Sequence, residues 1–197
     1  MHIDIVIPQK NEEEYIQMAQ TLGWDGLCFF YPNKPDALRL GGVKSKMPIY
    51  HASPSDSHAN LIIKESKGDD RDTIEAGGFQ LLYDIEKKQK HDSMHQRQSG
   101  LNHIYCNIMV KKKIGLAFPF ETILGLEVSR RGVILGRMRQ NFGLCEKYGV
   151  DTAIVSMATN PYHLRSPHDL QRTYLAFGMN TSQAKRSILH VGRILEK

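Results

Sequence analysis

The chain has 197 residues, of which 41% are hydrophobic and 24% charged, enough for a substantial core and contrary to disorder of the whole. Its formal net charge of +5 permits a phosphate-rich partner without requiring one. No apolar run approaches the ~20 residues that cross a bilayer, so no membrane-spanning helix is expected.

The opening Met1-His2-Ile3-Asp4-Ile5 lacks a basic segment followed by a long apolar one, so no signal peptide is read there. Cys28, Cys106 and Cys145 are widely spaced, without a CxxC, in apolar contexts. That pattern points to buried thiols and a reducing compartment, and the expected location is cytoplasmic.

In chain order, Ile3 to Ile7 is a short apolar run ended by Pro8 and reads as a first strand. Asn11 and Glu14 have the spacing of a capping box, and Tyr15, Met18, Ala19 and Leu22 form one apolar helical face. Gly23 ends that helix, and Gly26 to Phe30 is a second buried strand, completing a βαβ unit. Tyr31 to Ser57 is irregular, rich in proline and lysine, with a strand possible near Ile49.

The alternation then continues. Strands are expected over Ala59–Lys64, Phe79–Ile85, Ile114–Phe118 and Asp151–Ser156. Helices are expected over Asp69–Ala76, Leu101–Val110 and Gly132–Tyr148, the last with Ile134, Met138, Phe142 and Cys145 facing inward. Residues 87–98 read as a second, basic loop. Ser166, Pro167 and Asp169 start another helix, with Leu170, Tyr174 and Phe177 inward. A last helix, Thr181 to Leu195, buries Ala184, Ile188 and Val191.

Six or seven strands alternating with helices allow an open doubly wound sheet or a closed barrel. The missing GxGxxG after the first strand weakens the dinucleotide-binding version. The expected fold is α/β, a compact or irregular TIM-like (β/α) barrel forming one domain over residues 1–197.

Catalytic chemistry is hard to assemble. The nine histidines include no His-x-His at the end of the first strand, and His91 and His95 lie in a basic, polar stretch. There is no GxSxG, and Glu121 is a single carboxylate without a visible acid–base partner. The basic residues are more suggestive. Lys111-Lys112-Lys113 precedes a strand, and Arg130, Arg131, Arg137 and Arg139 fall near the start of a long helix, where cations oppose the macrodipole. Arg165 and Arg172 flank Ser-Pro-His-Asp, a helix start whose free amides would welcome a phosphate. A phosphate partner and a solvated basic face with ordinary caps both fit these residues.

Several segments, in order, resemble one family. They are Asp4-Ile5-Val6-Ile7-Pro8, Leu22-Gly23-Trp24-Asp25-Gly26, Ser99-Gly100-Leu101-Asn102-His103, Lys147-Tyr148-Gly149-Val150 and Leu164-Arg165-Ser166-Pro167-His168-Asp169-Leu170. Phe177-Gly178-Met179 and a final helix carrying Ala184 and Ser187 complete the pattern. The family is the archaeal and eukaryotic ribonuclease P protein component three, the thirty-kilodalton subunit.

The resemblance implies a barrel of the polymerase-and-histidinol-phosphatase superfamily type that lacks the metal-binding histidines. It also implies an RNA-binding subunit that helps a catalytic RNA remove the 5′ leader from precursor tRNA. The RNA would do the chemistry with Mg²⁺, the protein would bind no cofactor or metal itself, and a second small protein subunit would act alongside. Precursor tRNA would be met indirectly. Under this reading Lys111, Lys112, Arg137, Arg165, His168 and Arg172 are the expected RNA contacts, with Asn102 and His103 as ordering or contact residues. The alternatives are a metal-dependent phosphoesterase of the same barrel superfamily and a protein-binding scaffold.

Overall fold

The computed structural model describes residues 1–32, 45–88, 92 and 97–196. Seven strands pair in sequence order, all parallel: β1 (Ile3–Val6), β2 (Gly26–Phe30), β3 (Ile49–Ser53), β4 (Leu61–Glu65), β5 (Leu81–Tyr83), β6 (Gly115–Pro119) and β7 (Thr152–Val155). The ring closes just beyond β7. The Met157 amide donates to the Ile5 carbonyl (2.8 Å), and the Ile7 amide to the Ala158 carbonyl (2.9 Å). Asp4 adds a side-chain stitch at the same seam, its Oδ1 accepting the Ser156 amide at 2.7 Å.

Both faces of the strands are buried, which is why they read as continuous apolar runs and not as alternating ones. Ile3, Ile5, Cys28, Phe30, Leu61, Ile63, Leu81, Ala117 and Val155 fill the barrel interior. Their neighbours along each strand, such as Val6, Phe29, Leu82, Leu116, Phe118 and Ile154, face outward under the helices. The three cysteines are free and buried.

The helices are α1 (Glu12–Leu22), α2 (Arg71–Ala76), α3 (His103–Lys112), α4 (Phe120–Leu124), α5 (Val128–Tyr148), α6 (Pro167–Ala176), α7 (Thr181–Ser187) and α8 (His190–Leu195). The β3 strand confirms the run near Ile49. Residues 33–44, 89–91 and 93–96 carried expectations that lie outside the described residues, among them Lys34, Arg39, Lys44, His91 and His95.

Four sequence expectations are corrected. The Asn11 side chain does not cap α1; its Oδ1 accepts the Gln9 amide at 2.9 Å instead. The long helix starts at Val128, not Gly132, because Arg131 ties the preceding turn down, donating to the carbonyls of Leu126 (2.9 Å) and Leu124 (3.3 Å). Arg131 therefore has a local reason for its place, and a phosphate is not needed to explain it. The short helix α4 was not expected.

The expected final helix is two. The first, α7, buries Ala184 and Ile188 in the outer layer, and the chain then bends so that α8 delivers Val191, Ile194 and Leu195 to the barrel interior. Since α8 contacts both β7 and β1, it closes the floor of the barrel, at the N-terminal ends of the strands. Gly192 is required there, because a Cβ would stand 2.3 Å from the Met1 carbonyl oxygen.

Candidate nucleic-acid interface

The parallel topology decides which residues share a surface. Every helix that follows a strand begins at the rim where the strands end, the usual location of function in such barrels. Asn102 and His103 start α3, Arg130 and Arg131 fall in the first turn of α5, and Arg165 and His168 flank the start of α6. Because β5, β6 and β7 are neighbours, these three starts form one arc along the rim. A Phe142–Tyr174 ring contact at 6.2 Å joins α5 to α6.

The structure sorts the eight residues expected to meet RNA into three groups. Asn102, His103, Arg165, His168 and Arg172 lie on or one turn below the rim. Asn102 is also the N-cap of α3, its Oδ1 accepting the Tyr105 amide at 2.9 Å, and His103 beside it is exposed. Lys111 and Lys112 are exposed, but they occupy the last turn of α3 at the opposite end of the barrel, where they complement the helix dipole.

Arg137 is corrected. It is only 2% exposed, its Nε donates to Asp92 Oδ1 at 2.8 Å, and its Nη1 donates to the Glu86 carbonyl at 3.0 Å. Such a side chain holds the protein together and is not presented to RNA. It misled because a helical arginine near a basic cluster looks the same in sequence whether it faces inward or outward.

Local chemistry sets the α6 start. Ser166 Oγ accepts the Asp169 amide at 3.1 Å, and Pro167 takes the first helical position, as the sequence indicated. Arg165 is half-buried. Its guanidinium donates to the carbonyls of Tyr162 (3.0 Å) and Leu164 (2.7 Å) and lies 5.8 Å from the Phe120 ring centre. Trp24 Nε1 donates to the Arg165 carbonyl at 2.9 Å, fixing the turn to α1. Arg172 is exposed, with its Nε 3.3 Å from His168 Nε2.

Inside the rim, the barrel mouth holds a cavity of about 310 Å³ lined by Ile7, Tyr83, Pro119 and Met157 together with Glu65, Asp84, Lys87, Glu121 and Thr122. This is where a barrel enzyme would place its ligands. Each carboxylate, however, already has a protein partner. Asp84 accepts from Thr122 Oγ1 and lies 3.4 Å from Lys87 Nζ. Glu65 pairs with Lys88 at 2.6 Å. Glu121 accepts from Thr159 Oγ1 (2.7 Å) and pairs with His163 Nδ1 (2.9 Å). Among the described residues, no three histidine, cysteine or carboxylate side chains converge as a metal site would require. Sequence reading found Glu121 and missed its partner His163, which is 42 positions away and meets it because β6 and β7, the strands that precede them, are paired neighbours.

Below the rim lies a buried polar cluster. Asn141 Nδ2 donates to Glu86 Oε1 (2.7 Å) and to the Ser99 carbonyl (3.1 Å). Burial pushes the Glu86 carboxyl up to about 7, with the Asp84 charge adding to the rise. Glu86 Oε2, Asn141 Oδ1 and Ser99 Oγ have no hydrogen-bond partner among the described residues. Burial likewise raises Asp4 at the seam to about 7.

Comparison with known proteins gives a consistent result. A model of the family "RNase P subunit p30" matches residues 90–197. Ribonuclease P protein component 3 of Methanothermobacter thermautotrophicus is 27% identical over 93 residues, covering 47% of this chain and 38% of the relative. Its counterpart from Thermococcus kodakarensis is 25% identical over 93 residues, covering 47% and 42%. The alignments thus span about two-fifths of the curated relatives' length. Among solved structures, a chain in the cryo-EM structure of archaeal ribonuclease P with mature tRNA has the same fold. Its TM-score is 0.82 at 21% identity, and the match covers 98% of this chain and 90% of that one.

Proposed function

The chain belongs to the RNase P subunit p30 family, and from that premise we propose that it is a protein subunit of ribonuclease P. In this role it binds the catalytic RNA of the complex and supports it in removing the 5′ leader of precursor tRNA. The observation that carries the reading is the family match over residues 90–197, which takes in all three helix starts of the rim arc.

The chain's own contribution is electrostatic and positional. Exposed cations and free helix-start amides along one rim suit phosphate oxygens, which fix register on an RNA without reading its sequence. Arg172 and His168 offer donors beside the α6 amides, and Arg165 anchors the turn that presents them. The cleavage chemistry is assigned to the RNA and its Mg²⁺, not to this chain. A second small protein subunit is part of the proposal, with its docking surface unassigned. The phosphoesterase alternative is not favoured, because the mouth carboxylates have protein partners and, among the described residues, no three histidine, cysteine or carboxylate side chains come together as a metal site requires.

The test is binding of the full chain to ribonuclease P RNA and to an unrelated structured RNA, each over a series of salt concentrations. The expected result is preference for the former, with affinity falling by about 0.7 to 0.9 log units per log unit of salt for each phosphate engaged. Equal, salt-insensitive binding to both would reject the reading.

A further inference from the structure

A second concave site lies on the outer side of the rim, at the N-terminus of α3. It is a cleft of about 350 Å³ whose lining includes Asp69, Arg97, Ser99, Asn102, Tyr105 and Gln140. Four observations converge on it.

First, α3 has ten residues and no acidic side chain in its first turn, so the positive end of its dipole is not offset from within the helix. Asn102 satisfies only the Tyr105 amide, which leaves the His103 and Ile104 amides as donors at the helix start. Second, Ser99 is 1% exposed and its Oγ is buried with no hydrogen-bond partner among the described residues. A buried hydroxyl without a partner is costly unless something supplies one. Third, its position is rigid, because the Ser99 carbonyl is held by Asn141 from α5.

Fourth, one wall is built to admit a cation. The Arg97 guanidinium packs against α5 at Gly136, where a Cβ would stand only 1.8 Å from its Nη1. Only glycine leaves room for it there, and Gln140, one turn further along α5, lines the same cleft. Asp69 is the acid in the lining. Its Oδ1 is engaged by the Tyr105 hydroxyl (3.3 Å) and the Arg71 amide (3.5 Å).

We propose that this cleft is a phosphate-binding site, in which a phosphate accepts hydrogen bonds from Ser99 Oγ and from the first amides of α3 while Arg97 supplies the counter-charge. Building on the subunit function proposed above, we assign that phosphate to the RNA backbone. The site is distinct from the α6 start. It predicts a contact made by Arg97 and Ser99, neither of which the basic-cluster argument selected.

Two measurements test it on the full chain. In the first, inorganic phosphate is titrated while the amide resonances of His103 and Ile104 are followed by NMR. Saturable shifts in the parent that disappear in Ser99→Ala are expected; no shifts, or shifts unchanged in Ser99→Ala, would overturn the site. In the second, salt-dependent RNA binding is compared between the parent and Gly136→Ala. This variant retains every polar group but displaces Arg97. The melting temperature should be unchanged or higher, since alanine favours the helix, while RNA affinity falls about tenfold at low salt and the salt slope drops by about one.

An unchanged slope in Gly136→Ala alongside normal phosphate shifts would overturn the RNA source and leave the function proposed above intact. Phosphate shifts in a chain that binds no ribonuclease P RNA at all would instead refute that function, and with it the RNA source.

Discussion

Arg137 and Glu86 show how a single side chain is assigned by its surroundings. Arg137 meets Asp92 and the Glu86 carbonyl with almost no contact with water. Removing it strands Asp92 and a buried carbonyl, so Arg137→Ala should cost about 2 to 4 kcal/mol in urea unfolding. A cost under about 0.5 kcal/mol, of the kind surface substitutions show, would return Arg137 to the surface. Glu86 gives a pH prediction. Its folded carboxyl titrates near 7 and its unfolded reference is 4.5. The protonated form is therefore favoured by folding; its contribution is intact below about 4.5 and is lost as the pH rises through 7. Between pH 5 and 8 the parent should lose about 2 kcal/mol more stability than Glu86→Gln, which cannot ionise. Equal losses in urea unfolding at the two pH values would contradict this. Asp4 contributes the same sign to both proteins and drops out of the comparison.

At the scale of elements, most of the architecture was legible because the barrel buries strands and helices by different periods. Runs such as Gly26–Phe30 are apolar throughout, whereas Ile134, Met138, Phe142 and Cys145 recur at helical spacing, and both signals survive in one sequence. The break between α7 and α8 was not legible. Ala184, Ile188 and Val191 keep helical spacing across it, yet the first two face the outer layer and the third enters the barrel. Periodicity reports burial, not which core receives it. The floor helix makes a prediction of its own. Gly192→Ala pushes a Cβ into the Met1 backbone and should destabilise by about 1 to 3 kcal/mol, lowering the melting temperature by several degrees. An unchanged or raised melting temperature would mean that α8 does not lie across β1. At the α6 start, Arg165 and Arg172 separate by role. Arg172→Ala should flatten the RNA salt slope by about one at unchanged stability, since its side chain is exposed. Arg165→Ala should lower stability as well, because two carbonyls and the Phe120 ring lose their partner. An Arg172→Ala slope identical to the parent would remove that residue from the interface.

At the scale of the whole molecule, the site was harder to read than the fold, for a topological reason. The residues of the rim arc come from three separate connections, and only the parallel ring, β5 beside β6 beside β7, brings their helix starts together. The same ring sends Lys111 and Lys112 to the far end, although they sit only eight and nine positions beyond His103 in the same helix. Sequence distance and surface distance part company whenever a helix crosses the layer. The ring also brings His163 to Glu121 and Lys88 to Glu65, neutralising a mouth that in a catalytic barrel would gather free ligands. What results is a barrel with a charged rim and a mouth whose carboxylates are paired within the protein, the arrangement on which the proposed RNA-binding role rests.

The most direct test of that view is recovery of RNA from the native setting. The tagged chain is purified from its own cells under mild salt, and the RNA that accompanies it is sequenced. Enrichment of one structured RNA of the ribonuclease P type, reduced in the Arg172→Ala chain, is the predicted result. RNA at background level, or an unselective mixture indifferent to that substitution, would contradict it.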